Sequence, residues 1–188
     1  MAAPIHLLGF AGSLRKGSYN RAALRAAADL LPPDTTLEIT DLDGIPVFNE
    51  DTEHEPPAAV TALKAKIQAA DAVLIATPEY NYSVPGVLKN ALDWTSRPHG
   101  DTTWDGKPAA IMSASVSRLG GVRAQYHLRQ VFVYLNVRPI NRPEVMIGEA
   151  QKCFDAEGRL TDDKTRELVR EQLVKLVEWT RQLRSAQG

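Results

Sequence analysis

The sequence has few of the features that mark metal, membrane or nucleic-acid-binding proteins. Its single cysteine, Cys153, excludes an internal disulfide and suits a reducing compartment. The four histidines lie far apart, with no second ligand at metal-binding spacing. The formal net charge of -1 does not favour nucleic acid, and no segment reaches the roughly 20 apolar residues that cross a bilayer. Because the N-terminus also lacks a signal-peptide pattern, we expect a cytoplasmic protein without metal, nucleic-acid partner or membrane insertion.

What the 188 residues do contain is a regular alternation of apolar strands and alanine- or leucine-rich helices. No repeat and no linker interrupts it, so we predict one domain over residues 1–188. The predicted strands are "PIHLLGF", "TTLEIT", "AVLIAT", "PAAIMSAS" and "RPEVMI". The third is continuously apolar, which indicates burial on both faces. The last helix, "DDKTRELVREQLVKLVEWTRQLR", is amphipathic and predicts an ion pair between Glu171 and Lys175.

Strands that alternate with helices predict an α/β three-layer sandwich, with helices on both faces of a five-stranded parallel sheet. The natural strand order is 2-1-3-4-5, as in flavodoxin-like proteins, and ligands bind where that order reverses, between strands 1 and 3. Two unusual segments leave those strands: loop A, "AGSLRKGSYN" (11–20), and loop B, "TPEYNYSVPG" (77–86). We therefore predict that loops A and B line one crevice.

Loop A is rich in hydrogen-bond donors just before a predicted helix. A helix N-terminus with unpaired N–H groups attracts a phosphate, and Ser13, Arg15, Ser18 and Asn20 would add donors. The alternative is that Ser18 only caps the helix and Arg15 is a solvated loop residue. The loop has neither the Gly-Lys-Ser/Thr of Walker A nor G-x-G-x-x-G, which weakens a Rossmann dinucleotide interpretation.

Loop B places two tyrosines beside that predicted phosphate site. Tyr80 and Tyr82 offer ring faces to a planar heterocycle, and Pro78 and Pro85 stiffen the loop. The alternative is that one tyrosine packs on a helix and the other lies at a subunit contact. Glu79 is either a general acid or a brace for the loop, and we favour the brace. In the helix that follows, "KNALDW" predicts a buried Trp94 and an exposed Lys89.

Loop C, "SASVSRLGG" (113–121), follows the fourth strand and borders the same predicted crevice. Ser115, Ser117 and the amides of Gly120 and Gly121 would hydrogen-bond the edge of a ring, unless the loop is a plain strand-to-helix connection. Arg118 is a candidate contact for an anionic substrate, although a solvated arginine is an equal alternative.

Two motifs carry a family resemblance. "GSLRKGSYNRAAL" has the pattern G-S-x-R-x-x-S-x-N, and "TPEYNYSVPGVLKNALDW" has P-E-Y-N-x-S-x-P-G-x-L-K-N-x-x-D-W. Together they resemble the NAD(P)H-dependent FMN reductase family, which is flavodoxin-like, over residues 5–145. "GGVRAQYHLRQ" is similar to the branch that contains bacterial chromate and quinone reductases.

The resemblance implies bound FMN, NADH or NADPH as electron donor, and a homodimer or homotetramer. It implies that hydride passes through FMN to small-molecule acceptors, with quinones first and chromate, azo compounds and ferric chelates as similar acceptors. The phosphate-binding residues would be Ser13, Arg15, Ser18 and Asn20. The residues flanking the flavin ring would be Pro78, Glu79, Tyr80, Asn81 and Tyr82, with Ser115 and Ser117 of loop C on its pyrimidine side. The residues facing the substrate would be Tyr80, Tyr82 and Arg118.

Three other functions stay open at this point. One is a reductase that releases reduced FMN to a partner enzyme. Another is a one-electron flavodoxin-type carrier, although the chain lacks the T-x-T-G-x-T loop and the acidic surface of such carriers. The third is a flavin-free NAD-binding dehydrogenase or regulator. The sequence leaves open both the physiological acceptor and the choice between NADH and NADPH.

The helix predicted over 120–135 also has a distinctive outward face. It carries Arg123, Tyr126, Gln130 and Val133, and arginine and tyrosine are enriched at interface centres. We predict a subunit contact there, with a solvated helix face as the alternative.

Overall fold

The computed structural model describes residues 3–186, in which the strands form a single parallel sheet. The strands are β1 (Ile5–Ala11), β2 (Thr35–Thr40), β3 (Ala72–Ala76), β4 (Pro108–Ala114), β5 (Arg138–Pro139) and β6 (Val145–Ile147). Their order is β2-β1-β3-β4-β5, and β6 also pairs with β4. The predicted flavodoxin-like order is confirmed. All five residues of β3 are buried, as expected for a central strand covered on both faces.

Helices cover both faces of the sheet and complete the three layers. They are α1 (Tyr19–Ala28), α2 (Ala58–Ala69), α3 (Gly86–Thr95), α4 (Val122–Tyr134), α5 (Ala150–Cys153) and α6 (Asp163–Ser185). On one face, α1 and α6 pack through residues such as Leu24 and Leu173. On the other, α2, α3 and α4 pack through Ile67, Leu92 and Leu128. The helices therefore bury apolar stripes on opposite sides of one sheet.

The fifth strand differs from the prediction of one strand over "RPEVMI". Only Val145–Ile147 of that segment is strand, and a separate short strand, Arg138–Pro139, precedes it. The two pieces pair with opposite ends of β4, because Ala109 lies beside Pro139 and Met112 beside Val145. Proline has no N–H to donate to a ladder, so Pro139 and Pro143 bound a stretch that leaves the sheet.

Two other predictions concern side chains. Trp94 is buried and Lys89 is exposed, as predicted. The expected Glu171–Lys175 pair is wrong, because Lys175 turns to Glu178 instead, with Nζ 2.9 Å from Oε2. Both spacings bring side chains together on one helix face, and i,i+3 contact prevails here. In the described part of the chain, no helix is long and apolar enough to cross a membrane.

Candidate cofactor site

Loops A and B meet at the carboxyl ends of β1 and β3, where the strand order reverses. The N–H of Gly12 donates to the Ala76 carbonyl at 2.9 Å, which ties the start of loop A to the end of β3. A Cβ atom at Gly12 would lie 3.1 Å from the Leu88 Cβ and 3.4 Å from the Pro85 ring. A side chain at Gly12 would therefore push the two loops apart, and glycine permits their contact.

Asn20 ties loop A to the end of β4, where loop C begins. Its Nδ2 donates to the Ala114 carbonyl and its Oδ1 accepts from the Ala114 N–H, both at 2.9 Å, and the residue is 2% exposed. The side chain hydrogen-bonds the end of β4 in the way that the backbone of a neighbouring strand would. The structure thus gives Asn20 a role in fixing loop A to β4, and one hydrogen of its Nδ2 is left for the phosphate contact predicted from the sequence.

The other loop A candidates surround the N-terminus of α1. Ser18 caps the helix, since its Oγ accepts from the Arg21 N–H at 3.4 Å, and Ser13 Oγ accepts from the Arg15 N–H at 3.4 Å. Both hydroxyls accept in these bonds and keep their hydrogens for donation. The exposed Arg15 guanidinium donates to the Gly17 carbonyl at 2.5 Å, and the first turn of α1 has no acidic side chain. These donors fit a phosphate group.

The middle of loop B is a tight, strained turn. Tyr80 and Ser83 exchange backbone hydrogen bonds of 3.1 and 3.0 Å, and the two central residues, Asn81 and Tyr82, have φ of +50° and +65°. Such turns favour Asn and Gly, and a left-handed conformation at a tyrosine costs on the order of 1–2 kcal/mol. The turn holds both tyrosine rings outward, Tyr80 at 53% and Tyr82 at 66% exposure. A ring kept exposed at that cost is typical of a ligand platform.

An arginine of α4, Arg123, supports this turn. Its guanidinium lies 3.9 Å from the centre of the Tyr82 ring, and its Nη1 lies 3.1 Å from Glu79 Oε1. Glu79 Oε2 accepts from the backbone N–H groups of Arg123 and Ala124, at 2.9 and 3.3 Å. The carboxylate therefore caps α4 and fixes the arginine against the ring. This arrangement favours the brace over the general acid for Glu79.

Sequence reasoning assigned Arg123 to an outward face and missed this contact. A usable signal was present at the start of the helix. The residue at the N-cap of α4 is Gly121, which has no side chain to accept from the first N–H groups. The first N–H groups of α4 therefore need an acceptor from another segment or from water, and Glu79 of the adjacent loop provides one.

Loop C is shaped by glycines and held by β6. Gly120 and Gly121 have φ of +59° and +87°, and a Cβ at Gly121 would lie 2.9 Å from the Ser113 Cβ. Ser115 is half-buried and its Oγ accepts from the Ser117 N–H at 3.1 Å, whereas Ser117 is exposed. Arg118 is exposed at the same rim. Loops A, B and C thus lie side by side at the carboxyl ends of β1, β3 and β4, with the Ser13 and Ser18 hydroxyls buried and Arg15 and Arg118 exposed.

A metal site and a reactive cysteine both find little support in the described residues. Those residues contain no group of three or more His, Cys, Asp or Glu side chains that could hold a metal ion. Burial, followed by the Asp162 carboxylate, raises the pKa of the Cys153 thiol, which disfavours the reactive thiolate.

Comparison with known proteins identifies the family of the chain. Residues 5–152, which include all three loops, match the family described as NADPH-dependent FMN reductase. An NAD(P)H-dependent FMN reductase of Pseudomonas aeruginosa is 56% identical over 185 residues, covering 98% of this chain and 100% of the relative. A 2-hydroxy-1,4-benzoquinone reductase of a Burkholderia species is 42% identical over 173 residues, covering 92% and 94%.

A solved structure is also similar over nearly the whole fold. It is the flavoenzyme NAD(P)H:(acceptor) oxidoreductase of Paracoccus denitrificans, with a TM-score of 0.86, 32% identity, and coverage of 95% of this chain and 98% of that one. The chain belongs to the family of NADPH-dependent FMN reductases, and it is an oxidoreductase that takes FMN as cofactor and a reduced nicotinamide nucleotide as electron donor.

Proposed function

We propose that this enzyme reduces quinones to hydroquinones at the crevice formed by loops A, B and C. One NAD(P)H and one proton supply the two electrons and two protons that convert a quinone to a hydroquinone, and NAD(P)+ is released. FMN, when bound, supplies the chemistry that accepts a hydride and passes on its electron pair. The observation that carries the proposal is that hydrogen-bond donors suited to a phosphate surround the N-terminus of α1, next to the loop B turn that holds Tyr80 and Tyr82 outward.

Loop A holds the phosphate end of the cofactor. The hydroxyls of Ser13 and Ser18 would donate to phosphate oxygens, and Arg15, which now donates to the Gly17 carbonyl, would supply a charged donor. The N-terminal N–H groups of α1 add a favourable dipole. Asn20 acts through Ala114, because it fixes loop A against β4 and thereby sets the position of these donors.

Loops B and C enclose the ring. Pro78, Tyr80, Asn81 and Tyr82 would flank it, while Glu79 keeps the turn in place through α4. The hydroxyls of loop C, on Ser115 and Ser117, would hydrogen-bond the polar edge of the ring. The exposed Tyr80 and Tyr82 rings and the Arg118 guanidinium face the acceptor and exclude water from one side of it.

The visible spectrum of the purified protein tests this function directly. We expect flavin colour that bleaches when NADH or NADPH is added without oxygen and returns when a quinone follows. A flavin that bleaches only with a chemical reductant, and stops after one electron, would identify a carrier. A colourless protein that takes up no FMN would overturn the proposal.

Two further measurements separate the remaining functions. A reductase that delivers free reduced FMN would exchange labelled flavin during each turnover, whereas the proposed quinone reductase keeps its flavin. Chromate, azo compounds and ferric chelates belong in the same assay, since an open crevice admits several acceptors.

We place the enzyme in the cytoplasm, consistent with its single half-buried cysteine.

We also propose a homodimer or homotetramer that uses the outward face of α4. Tyr126 is 50% exposed, Val133 83% and Tyr134 75%, which is a large apolar area for a free helix face. Arg123 no longer belongs to this face, because Glu79 and Tyr82 engage it. Sedimentation of a Val133→Asp variant tests the contact, and an unchanged mass would remove α4 from the interface.

A further inference from the structure

An apolar groove lies beside the cofactor crevice, between α3 and the segment after β2. Its volume is about 570 Å³, within the roughly 300–1,000 Å³ typical of ligand sites. Its apolar lining consists of Leu14, Ile45, Val47, Phe48 and Val87. Two of these are well exposed, Leu14 at 47% and Val47 at 86%. Apolar side chains gathered at one exposed groove indicate contact with another apolar molecule.

The polar groups of the groove already have partners within the chain. Asn90 accepts from the Phe48 N–H and donates to the Pro46 carbonyl, each at 2.8 Å. Lys89 Nζ lies 2.7 and 2.9 Å from the two carboxylate oxygens of Asp93. An occupant therefore gains through apolar contact rather than through hydrogen bonds.

The groove borders both loops of the predicted cofactor site. Leu14 lies in loop A between the two predicted phosphate ligands Ser13 and Arg15, and Gly86 is the last residue of loop B. Gly12 packs against Pro85 and Leu88 at the point where these loops meet. A molecule whose reactive end is in the crevice can therefore extend its other end along the groove.

We propose that the groove binds the alkyl or isoprenoid tail of a quinone whose ring is reduced in the crevice. This assignment rests on the proposed quinone reductase activity and names its preferred substrates as tailed, lipophilic quinones. The tail makes no chemical step and contributes through its burial alone.

The test compares two quinones that differ only in one substituent, methyl-p-benzoquinone and geranyl-p-benzoquinone, with the FMN-loaded enzyme and saturating NAD(P)H. Burial of about two methylene equivalents is worth roughly tenfold in affinity. We expect kcat/KM for the geranyl quinone to exceed that for the methyl quinone by at least about tenfold, mainly through KM.

Variants of Val47 locate the effect in the groove. Because Val47 is well exposed, its replacement should change the folding stability little. Val47→Asp introduces a charge into the groove, and Val47→Trp introduces a larger side chain that fills it. Both should bring the ratio of kcat/KM values close to one without changing the rate with the methyl quinone. Ala65→Asp, at an exposed position on α2 that does not line the groove, is the matched control and should keep the ratio.

Three results would overturn the inference. One is a wild-type enzyme that reduces both quinones equally well, which leaves the proposed function intact. Another is a tail preference that survives both Val47 substitutions. The third is a drop in sedimenting mass for Val47→Asp, which would show that a second copy of the chain covers the groove. Failure of the flavin-loaded enzyme to reduce either quinone would instead contradict the proposed function.

Discussion

Replacing Asn20 by alanine should destabilise the cofactor-free protein by about 2–4 kcal/mol. The substitution leaves the N–H and C=O of Ala114 without the partners that hold them at 2.9 Å, and Ala114 is 3% exposed. Each buried backbone group left unpaired costs about 1–3 kcal/mol, so the two groups together could cost about 2–6 kcal/mol. Relaxation of the chain and entry of water keep the expected total in the lower half of that combined range. Because β3 ends at Ala76, no strand is available to replace Asn20 at this point.

Asn90→Ala is the matched control. Asn90 also makes two hydrogen bonds to backbone groups, to the Phe48 N–H and the Pro46 carbonyl, but it lies at a partly exposed position where water can replace it. We expect its loss to cost about 1 kcal/mol or less. Urea unfolding of both apo variants, followed by circular dichroism, gives the comparison free of ligand-linked stabilisation.

Equal apo stability for Asn20→Ala and Asn90→Ala, together with a more than tenfold loss of FMN affinity in Asn20→Ala alone, would mean that Asn20 binds the cofactor directly. A large loss of apo stability instead establishes that Asn20 positions loop A, with weaker FMN binding as a consequence.

Three other predictions concern loop A, loop B and α6. The double variant of Arg15→Ala and Ser18→Ala should raise the FMN dissociation constant at least about tenfold in a fluorescence titration, and unchanged affinity would exclude loop A as the phosphate site. Tyr82→Gly relieves the left-handed strain and removes the contact with Arg123, so kcat/KM for quinone should fall while the unfolding free energy changes by about 1 kcal/mol or less; a global loss of stability would indicate a packing role. Asp162→Ala should cost about 1 kcal/mol at neutral pH, because Asp162 is the N-cap of α6.

The pH dependence of that last variant follows from its hydrogen bonds. The side chain and N–H of Thr165 hold the pKa of the Asp162 carboxyl below its usual value. A lowered folded-state pKa gives stability that is present above the unfolded pKa and disappears as pH falls through the folded one. The melting temperatures of wild type and Asp162→Ala should therefore converge in acid, and a constant difference would contradict this origin.

The sheet could be predicted from the sequence because it depends on local patterns. Continuous apolar runs such as β3, separated by helical segments, lead to a parallel sheet with few possible orders. The fifth strand could not be predicted so well. Whether a three-residue strand forms depends on which stretch of β4 remains unpaired, and Met112 and Val145 meet only in the folded chain.

The positions of the site loops could be predicted, but their internal contacts could not. The switch-point rule brings loops A and B together from strand order alone. The contacts of Asn20 with Ala114 and of Glu79 with Arg123 span 94 and 44 residues and follow no periodicity. Both residues belong to motifs that suggested ligand binding. In a sequence, an amide or a carboxylate in a loop looks the same whether it contacts a ligand or the protein's own backbone.

These two contacts indicate how the crevice is kept ready for its ligand. Asn20 fixes loop A to β4, and Glu79 fixes loop B to α4, in both cases through buried or nearly buried hydrogen bonds that need no cofactor. The loops are thus ordered during folding, and ligand binding has less conformational entropy to overcome. We therefore expect the residues of the motifs to divide into two groups: those whose replacement weakens the apo-protein first, such as Asn20 and Glu79, and those whose replacement weakens only the complex, such as Arg15.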